Sequence, residues 1–281
     1  MGQKVHPTGL RLGIGQGWDS SWSPDLQEDS QQYRDLLHID IEIRNLITQL
    51  FTANEGYVGN IAISKNAKLK TIDINLFGYI PAFKRPLNIK SKKILAKKDF
   101  EYKLSKLIDV LNKKYSSNVF VLRSILVEEF PLGNQLRNNK SNKSALKIPL
   151  VLKKSSKSLT FLARTSYFST LLNLMYLVFK IKQPQLLATF VARELSRTRN
   201  QRWVFGNVDR ACSFFFTELS DLEGIRIQVR GRMNKSKRTQ RFVTQYGRIP
   251  AQTINYAVQY STDEAYTTYG SMGVKVWIAY R

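Results

Sequence analysis

The chain has 281 residues, 43% hydrophobic and 11% aromatic, enough for one long or two shorter globular domains and too apolar for disorder throughout. Its 44 Lys and Arg face 21 Asp and Glu, a formal net charge of +23, which favours a polyanionic partner (nucleic acid or an anionic membrane) over a solvated surface with none. A single cysteine, Cys212, excludes an internal disulfide and a thiolate zinc site, and two histidines, His6 and His38, cannot make a metal cluster by themselves.

Residues 1–31 have few periodic apolar positions and are predicted to be an extended N-terminal tail. Its first stretch, MGQKVHPTGLRLGI, sets Gly2, Gly9 and Gly13 around a His6-Pro7 step flanked by Lys4 and Arg11. It lacks the apolar core of a secretory signal and the Arg- and Ser-rich amphipathic pattern of a transit peptide. With little apolar surface to offset its ordering cost, it is expected to order only against RNA or a neighbouring protein. Trp18 and Trp22 are the predicted anchors.

Residues 32–130 read as a compact α+β unit. Gln32 to about Ala53 suits an amphipathic helix, with Leu36, Leu37, Ile43, Leu46, Ile47, Leu50 and Phe51 near one stripe. Val58–Ser64 and Leu69–Phe77 alternate as strands, with Asn66 at the turn between them. After the proline-broken GYIPAFKRP comes a basic helix, Ser91–Tyr115, and a strand, Asn118–Phe130.

Residues 131–183 form a predicted insertion, a basic loop followed by an apolar helix. Pro131 to about Ser158 is rich in Asn, Lys and Ser. Thr165–Ile181 reads TSYFSTLLNLMYLVFKI, an apolar run of about 15 residues where a membrane span needs about 20, so no stable membrane insertion is expected. Leu159, Phe161, Leu162, Phe168, Leu171, Leu172, Leu174, Met175, Leu177, Val178 and Phe179 cover more than one stripe, which predicts a face left over for a partner protein.

Residues 184–281 form the predicted C-terminal domain. Pro184 opens one or two helices ending at Gly224, and if there are two, Gly206-Asn207 is the expected break. Ile225–Met233 alternates, turning Ile225, Ile227 and Val229 one way and Arg226, Gln228 and Arg230 the other. A basic stretch with embedded aromatics follows, then two strands near Ala251–Tyr260 and Gly273–Tyr280. The simplest arrangement is a sheet with helices on one face, and the chain as a whole is of the α+β class.

Three clusters in this domain suit RNA. Arg226, Arg230 and Arg232 alternate on a strand, where guanidinium forks can meet phosphates. Lys235, Lys237, Arg238 and Arg241 follow in one loop, with Phe242, Tyr246 and Arg248 close behind, so that cations hold phosphates while rings stack. Arg193, Arg197, Arg199 and Arg202 lie on a helix, the first two one turn apart. Catalysis has little support. Glu128-Glu129 and Asp263-Glu264 are adjacent pairs that diverge on a strand, Asp263 suits a turn, and no Walker loop, HExxH or GxSxG occurs. Cys212, in ACSFFF, reads as a small buried apolar side chain. No enzyme, cofactor or metal is expected.

The stretch MGQKVHPTGLRLGI resembles the start of the S-three family of bacterial-type small-subunit ribosomal proteins. The C-terminal run agrees: GIRIQVRGRM, RT, YGRIP and AVQYSTDEAYTTYGSMGVKVWI match that family nearly continuously. The resemblance is specific over about residues 1–22 and 224–280, pattern-level over 32–130, and absent over about 131–182. It implies a type II KH domain, which the α-β-β-α-β order suits, then a sandwich-like α+β C-terminal domain. It also implies a place in the head of the small subunit, bound to ribosomal RNA, to neighbouring ribosomal proteins and to messenger RNA where it enters, and not a homo-oligomer. On that reading the glycines of the tail let it run close to a phosphate backbone, Pro7 sets its direction, and Lys4 and Arg11 supply charge.

Two departures stand out. At the place of the family's GxxG loop the chain has Pro81-Ala82-Phe83-Lys84-Arg85-Pro86, so the KH domain is degenerate and only Lys84 and Arg85 remain to hold phosphate. Where the family carries a paired Arg and a Lys near the messenger, the chain reads Phe205-Gly206-Asn207-Val208-Asp209-Arg210, keeping Arg210, with Arg197, Arg199 and Arg202 nearby. This erosion, the insertion, the Lys-, Asn-, Ile- and Phe-rich usage and the absence of a transit peptide point to an organelle-encoded protein, mitochondrial first and plastid as the alternative. The rival function is a free single-stranded RNA-binding protein of messenger processing.

Overall fold

The computed structural model describes residues 5–22, 30–66, 70–80, 91–115, 118–127, 166–218 and 221–281. They fall into two units, one of residues 17–128 and one joining the N-terminal residues up to 16 with the chain from 129 onward. Lys4, Lys84, Arg85, the basic loop 131–158 and the apolar Leu159, Phe161 and Leu162 lie outside the described residues.

The first unit runs β1 (Ser20–Ser21), α2 (Ser30–Ala53), β2 (Tyr57–Asn66), β3 (Thr71–Tyr79), α3 (Ser91–Lys114) and β4 (Val119–Val127). The helix α1 (Pro7–Arg11) precedes them and belongs to the second unit. The sheet order is β1-β2-β3-β4, with β1 parallel to β2, β2 antiparallel to β3, and β3 parallel to β4. One face of α2 repeats every four residues as Ile39, Ile43, Ile47 and Phe51. This stripe meets Phe100, Leu104 and Leu111 of α3 and the inward strand positions Ile61, Ile63, Ile72, Ile74, Leu76 and Phe120.

The buried Asp40 of α2 ties down the entering chain. Its carboxylate accepts from Ser20 Oγ at 2.5 Å, Trp22 Nε1 at 3.1 Å and Arg44 Nε at 2.6 Å. Arg44 also donates to the Ile61 carbonyl at 2.7 Å and to Ser20 Oγ at 2.8 Å. Trp22 is thus an anchor as expected, whereas Trp18 stays 67% exposed.

The second unit adds α4 (Ser166–Ile181), α5 (Gln185–Arg197), α6 (Gln201–Glu218), β5 (Leu222–Gly231), β6 (Gln240–Gly247), β7 (Ala257–Thr267) and β8 (Gly270–Tyr280). Its sheet is antiparallel throughout, in the order β6-β5-β8-β7. Ile225, Ile227, Val229, Val274, Val276 and Ile278 are buried on the helix-bearing face. Helix α5 lies on β7 and β8, α6 lies on β6 and β5, and α4 packs on both α5 and α6.

Four expectations are corrected here. The tail is not merely extended: Pro7–Arg11 is a helical turn belonging to the second unit, and Ser20–Ser21 is a strand of the first. Pro7 at a first-turn position and the His6 side chain, which accepts from Gly9 N, start that turn. The helix break falls at residues 198–200, not at Gly206-Asn207, which lie inside α6. Residues 240–247 form the edge strand β6 instead of continuing the basic loop, so the sheet has four strands.

The fourth correction concerns α4. Phe168, Leu171, Leu172, Leu174, Met175, Leu177, Val178 and Phe179 are all buried within the chain's own second unit. Phe179 meets Phe215 of α6 at 5.3 Å between ring centroids, and Tyr280 Oη of β8 donates to the Val178 carbonyl at 3.3 Å. The helix therefore belongs to the core of the C-terminal unit and not to an insertion with a free apolar face. Among the described residues no helix is long and apolar enough to cross a membrane.

Candidate nucleic-acid interface

Arg11, the tail cation expected on RNA, is fully buried instead. Its Nε donates to the Tyr256 carbonyl at 2.8 Å, Nη1 to Pro7 at 3.1 Å, and Nη2 to Pro250 at 2.8 Å and Thr253 at 2.7 Å. Every acceptor is main chain, so the guanidinium serves as the hydrogen-bonding core of the loop that leads into β7. Arg193 also departs from expectation. It is half-buried on α5 and its charge acts on Asp263, which lies within β7 and not in a turn. Burial pushes the Asp263 carboxyl up, opposed by the Glu264 backbone N–H and by Arg193.

Arg197, Arg199, Arg202, Arg210, Lys235, Lys237, Arg238, Arg241 and Arg248 are exposed. Two of the expected clusters are brought together by a pair of hydrogen bonds to side-chain amides. Asn234 N donates to the buried Gln201 Oε1 at 2.9 Å, and Gln201 N donates to Asn234 Oδ1 at 3.2 Å. This joins the start of α6 to the loop after β5, where Asn234 and Lys235 take positive φ of 47° and 65°. Arg199 and Arg202, near Gln201, and Lys235 and Lys237, near Asn234, are thereby carried by one linked corner of the backbone, and Trp203, close by in α6, is 42% exposed.

Arg232 lies beyond the end of β5 and turns its Nε to the Ser236 carbonyl at 3.0 Å, so it shapes the loop instead of sharing the strand face. The rings expected to stack on bases are used internally. Phe242 stacks on Phe205 of α6 at 4.3 Å and 16°, and Tyr246 Oη donates to Asp209 Oδ1 at 2.9 Å. Phe205 and Asp209 thus hold α6 against β6.

The outward face of the second sheet is set by its register. Arg226 lies between Gln245 and Trp277, Gln228 between Val243 and Lys275, and Arg230 between Arg241 and Gly273. Tyr260 and Thr262 of β7 oppose Trp277 and Lys275. Arg226 sits 5.2 Å over the Trp277 ring, Tyr260 lies 5.2 Å from Trp277, and His6 meets Tyr260 edge-on at 4.8 Å. The ladder therefore crosses from the tail to β5. Lys275, Trp277, Tyr260 and Trp203 were not among the expected site residues. For Lys275 and Trp277 the signal was present: in GVKVWIAY they alternate with the inward Val274, Val276 and Ile278.

The chemistry excludes nucleophilic use of the thiol: Cys212 is fully buried, and desolvation pushes its pKa well up, with Asp209 adding to the effect. Among the described residues no group of three or more His, Cys, Asp or Glu is placed to hold a metal.

Gly206 carries a prediction. It sits within α6, and a Cβ there would meet nothing within 4 Å. Glycine costs a helix interior roughly 1 kcal/mol relative to alanine, so Gly206→Ala is expected to stabilise the chain by about that amount. Denaturant titration of the two proteins checks it, and a lower midpoint for the variant would contradict the open space around the position.

An α+β chain of this charge, with guanidinium and ammonium groups on an open sheet face and at a loop–helix corner, is of the nucleic-acid-binding class. A family model described as ribosomal protein S3, C-terminal domain, matches residues 197–278. Small ribosomal subunit protein uS3 of Phytoplasma mali is 27% identical over 99% of this chain and 84% of its own length. The proteins of the same name from Nitrosococcus oceani and Streptococcus suis are each 27% identical over 99% of this chain, and over 91% and 93% of their own lengths. The chain is thus similar to the ribosomal protein S3 family, to its C-terminal domain model over residues 197–278 and to its members over nearly the whole chain.

Proposed function

We propose that this protein is a structural, non-catalytic constituent of the small ribosomal subunit that binds ribosomal RNA in translation. The observation that carries the reading is the corner built by the Gln201–Asn234 amide pair, which gathers Arg199, Arg202, Lys235 and Lys237 from two elements. Cations gathered from separate elements suit a phosphate backbone, which supplies affinity without requiring a catalytic set. The names and full-length similarity of the relatives support the same reading.

The finer proposals rest on separate features. A degenerate type II KH domain is supported by the α2-β2-β3-α3-β4 order, with β3 antiparallel to β2 and parallel to β4. A place in the subunit head where messenger enters is supported by the exposed Arg197, Arg199, Arg202 and Arg210 around the start and outer side of α6. Neighbours there are other ribosomal proteins, and the chain acts as a single copy. A mitochondrial setting, with plastid as the alternative, is supported by the Lys-, Asn-, Ile- and Phe-rich residue usage.

Gradient sedimentation of the endogenous protein tests the reading. It is expected to travel with small-subunit RNA through high salt. Recovery at the top of the gradient, bound only to messenger fragments, would instead establish the free RNA-binding alternative.

A further inference from the structure

The outward face of the second sheet carries a feature that the fold does not explain. Arg230 and Arg241 are directly opposed on β5 and β6, an arrangement of like charges that weakens a sheet. Arg226 stands two cross-strand pairs away on the same face, and Lys275 faces Gln228 between them. Among the described residues no ion pair joins any of these three arginines to a carboxylate. Glu264, on the same face, lies on β7, two strands from β5, and accepts from Tyr266 Oη at 3.0 Å.

Two of the arginines are nevertheless held in place. Trp277 carries Arg226 on its ring, and Arg226 Nε is buried with no hydrogen-bond partner among the described residues. Gln228 Oε1 accepts from Arg241 Nη2 at 3.0 Å. Burial, and then the charge of Arg241, push the Arg226 guanidinium below its ordinary range. Repelling cations that are also fixed in orientation are poor for the free chain and suited to an anion that arrives later.

We propose that this face is a phosphodiester clamp, in which Arg226, Arg230, Arg241 and Lys275 hold a run of RNA backbone. The proposal rests on the RNA-binding reading above and assigns it a second surface, apart from the α6 corner. Arg226 and Arg230 start about 13 Å apart along β5, at 3.2–3.4 Å per residue, and Arg226 is held on the neighbouring Trp277, so the cations mark a track and not a pocket for one anion. Guanidinium forks fit phosphate oxygens, and Gln228 keeps the Arg241 fork oriented.

The test uses the full chain and a short oligouridylate. Arg230→Gln and Arg241→Gln change exposed side chains and are expected to fold. Each should lower the log–log salt slope of oligouridylate binding by about one. Each should also raise the thermal midpoint of the RNA-free chain at low salt, with the gain disappearing at high salt as repulsion is screened. Arg241→Lys should keep the slope. If the wild-type chain binds oligouridylate and both Gln variants keep its slope, the clamp is overturned while the ribosomal reading stands. If neither Gln variant gains midpoint at low salt, the unpaired repulsion on which the clamp rests is overturned. If the wild-type chain binds no RNA at all, both readings fall together.

Discussion

Arg11→Met is expected to lower the stability of the second unit by about 3–5 kcal/mol, the scale for leaving two buried and two part-buried acceptors unpaired at once. The carbonyls of Pro7, Pro250, Thr253 and Tyr256 converge on one guanidinium that no solvent reaches. Methionine fills much of the volume and satisfies none of them. The loss should shift the thermal midpoint of that unit on the order of 10 °C. Arg11→Lys should recover only a small part, because one ammonium cannot reach carbonyls spread around a planar fork. Hydrogen exchange should speed up first between residues 251 and 258, where the loop enters β7. The salt slope of RNA binding, measured below the variant's midpoint, should stay at the wild-type value, since the side chain is sealed inside the protein. A reduced slope with unchanged stability would return Arg11 to the RNA-contacting residues.

The same arginine shows what a single sequence makes legible and what it hides. The alternation of Ile225, Ile227 and Val229 against Arg226, Gln228 and Arg230 is a local property, so the strand and its two faces were readable without the fold. The four-residue repeat of Ile39, Ile43, Ile47 and Phe51 is local in the same way. Arg11, by contrast, meets acceptors about 240 residues away, and nothing in MGQKVHPTGLRLGI distinguishes a buried fork from a surface cation. Strand β6 was hidden for another reason. QRFVTQYG is polar enough to pass for a loop because it is an edge strand, exposed on one face and supported on the other by Phe205 and Asp209 of a helix. The aromatic residues there were correctly seen as important, but their partners are rings and carboxylates of the same chain.

Deletion of residues 166–181 is expected to abolish folding of the second unit. Helix α4 is apolar on nearly every side, and a helix of that kind is buried. Its sides pack on α5, α6 and the end of β8, and among the described residues its large aliphatic and Phe side chains other than Ile181 are buried there. Removing it would strip apolar cover from α5 and α6 and leave Tyr280 Oη without the Val178 carbonyl. A milder variant keeps the test quantitative. Leu174 is fully buried, and Leu174→Ala should cost about 2–5 kcal/mol, with the spread set by how far the neighbours close the cavity. Hydrogen exchange over β5 and β8 reads both outcomes: protection should vanish in the deletion and weaken in Leu174→Ala. The first unit, with its own core of Ile43, Ile47, Ile74 and Phe100, should keep its protection in both. If β5 and β8 remain protected after the deletion, α4 is dispensable to the fold, and its apolar surface must be assigned to another protein after all.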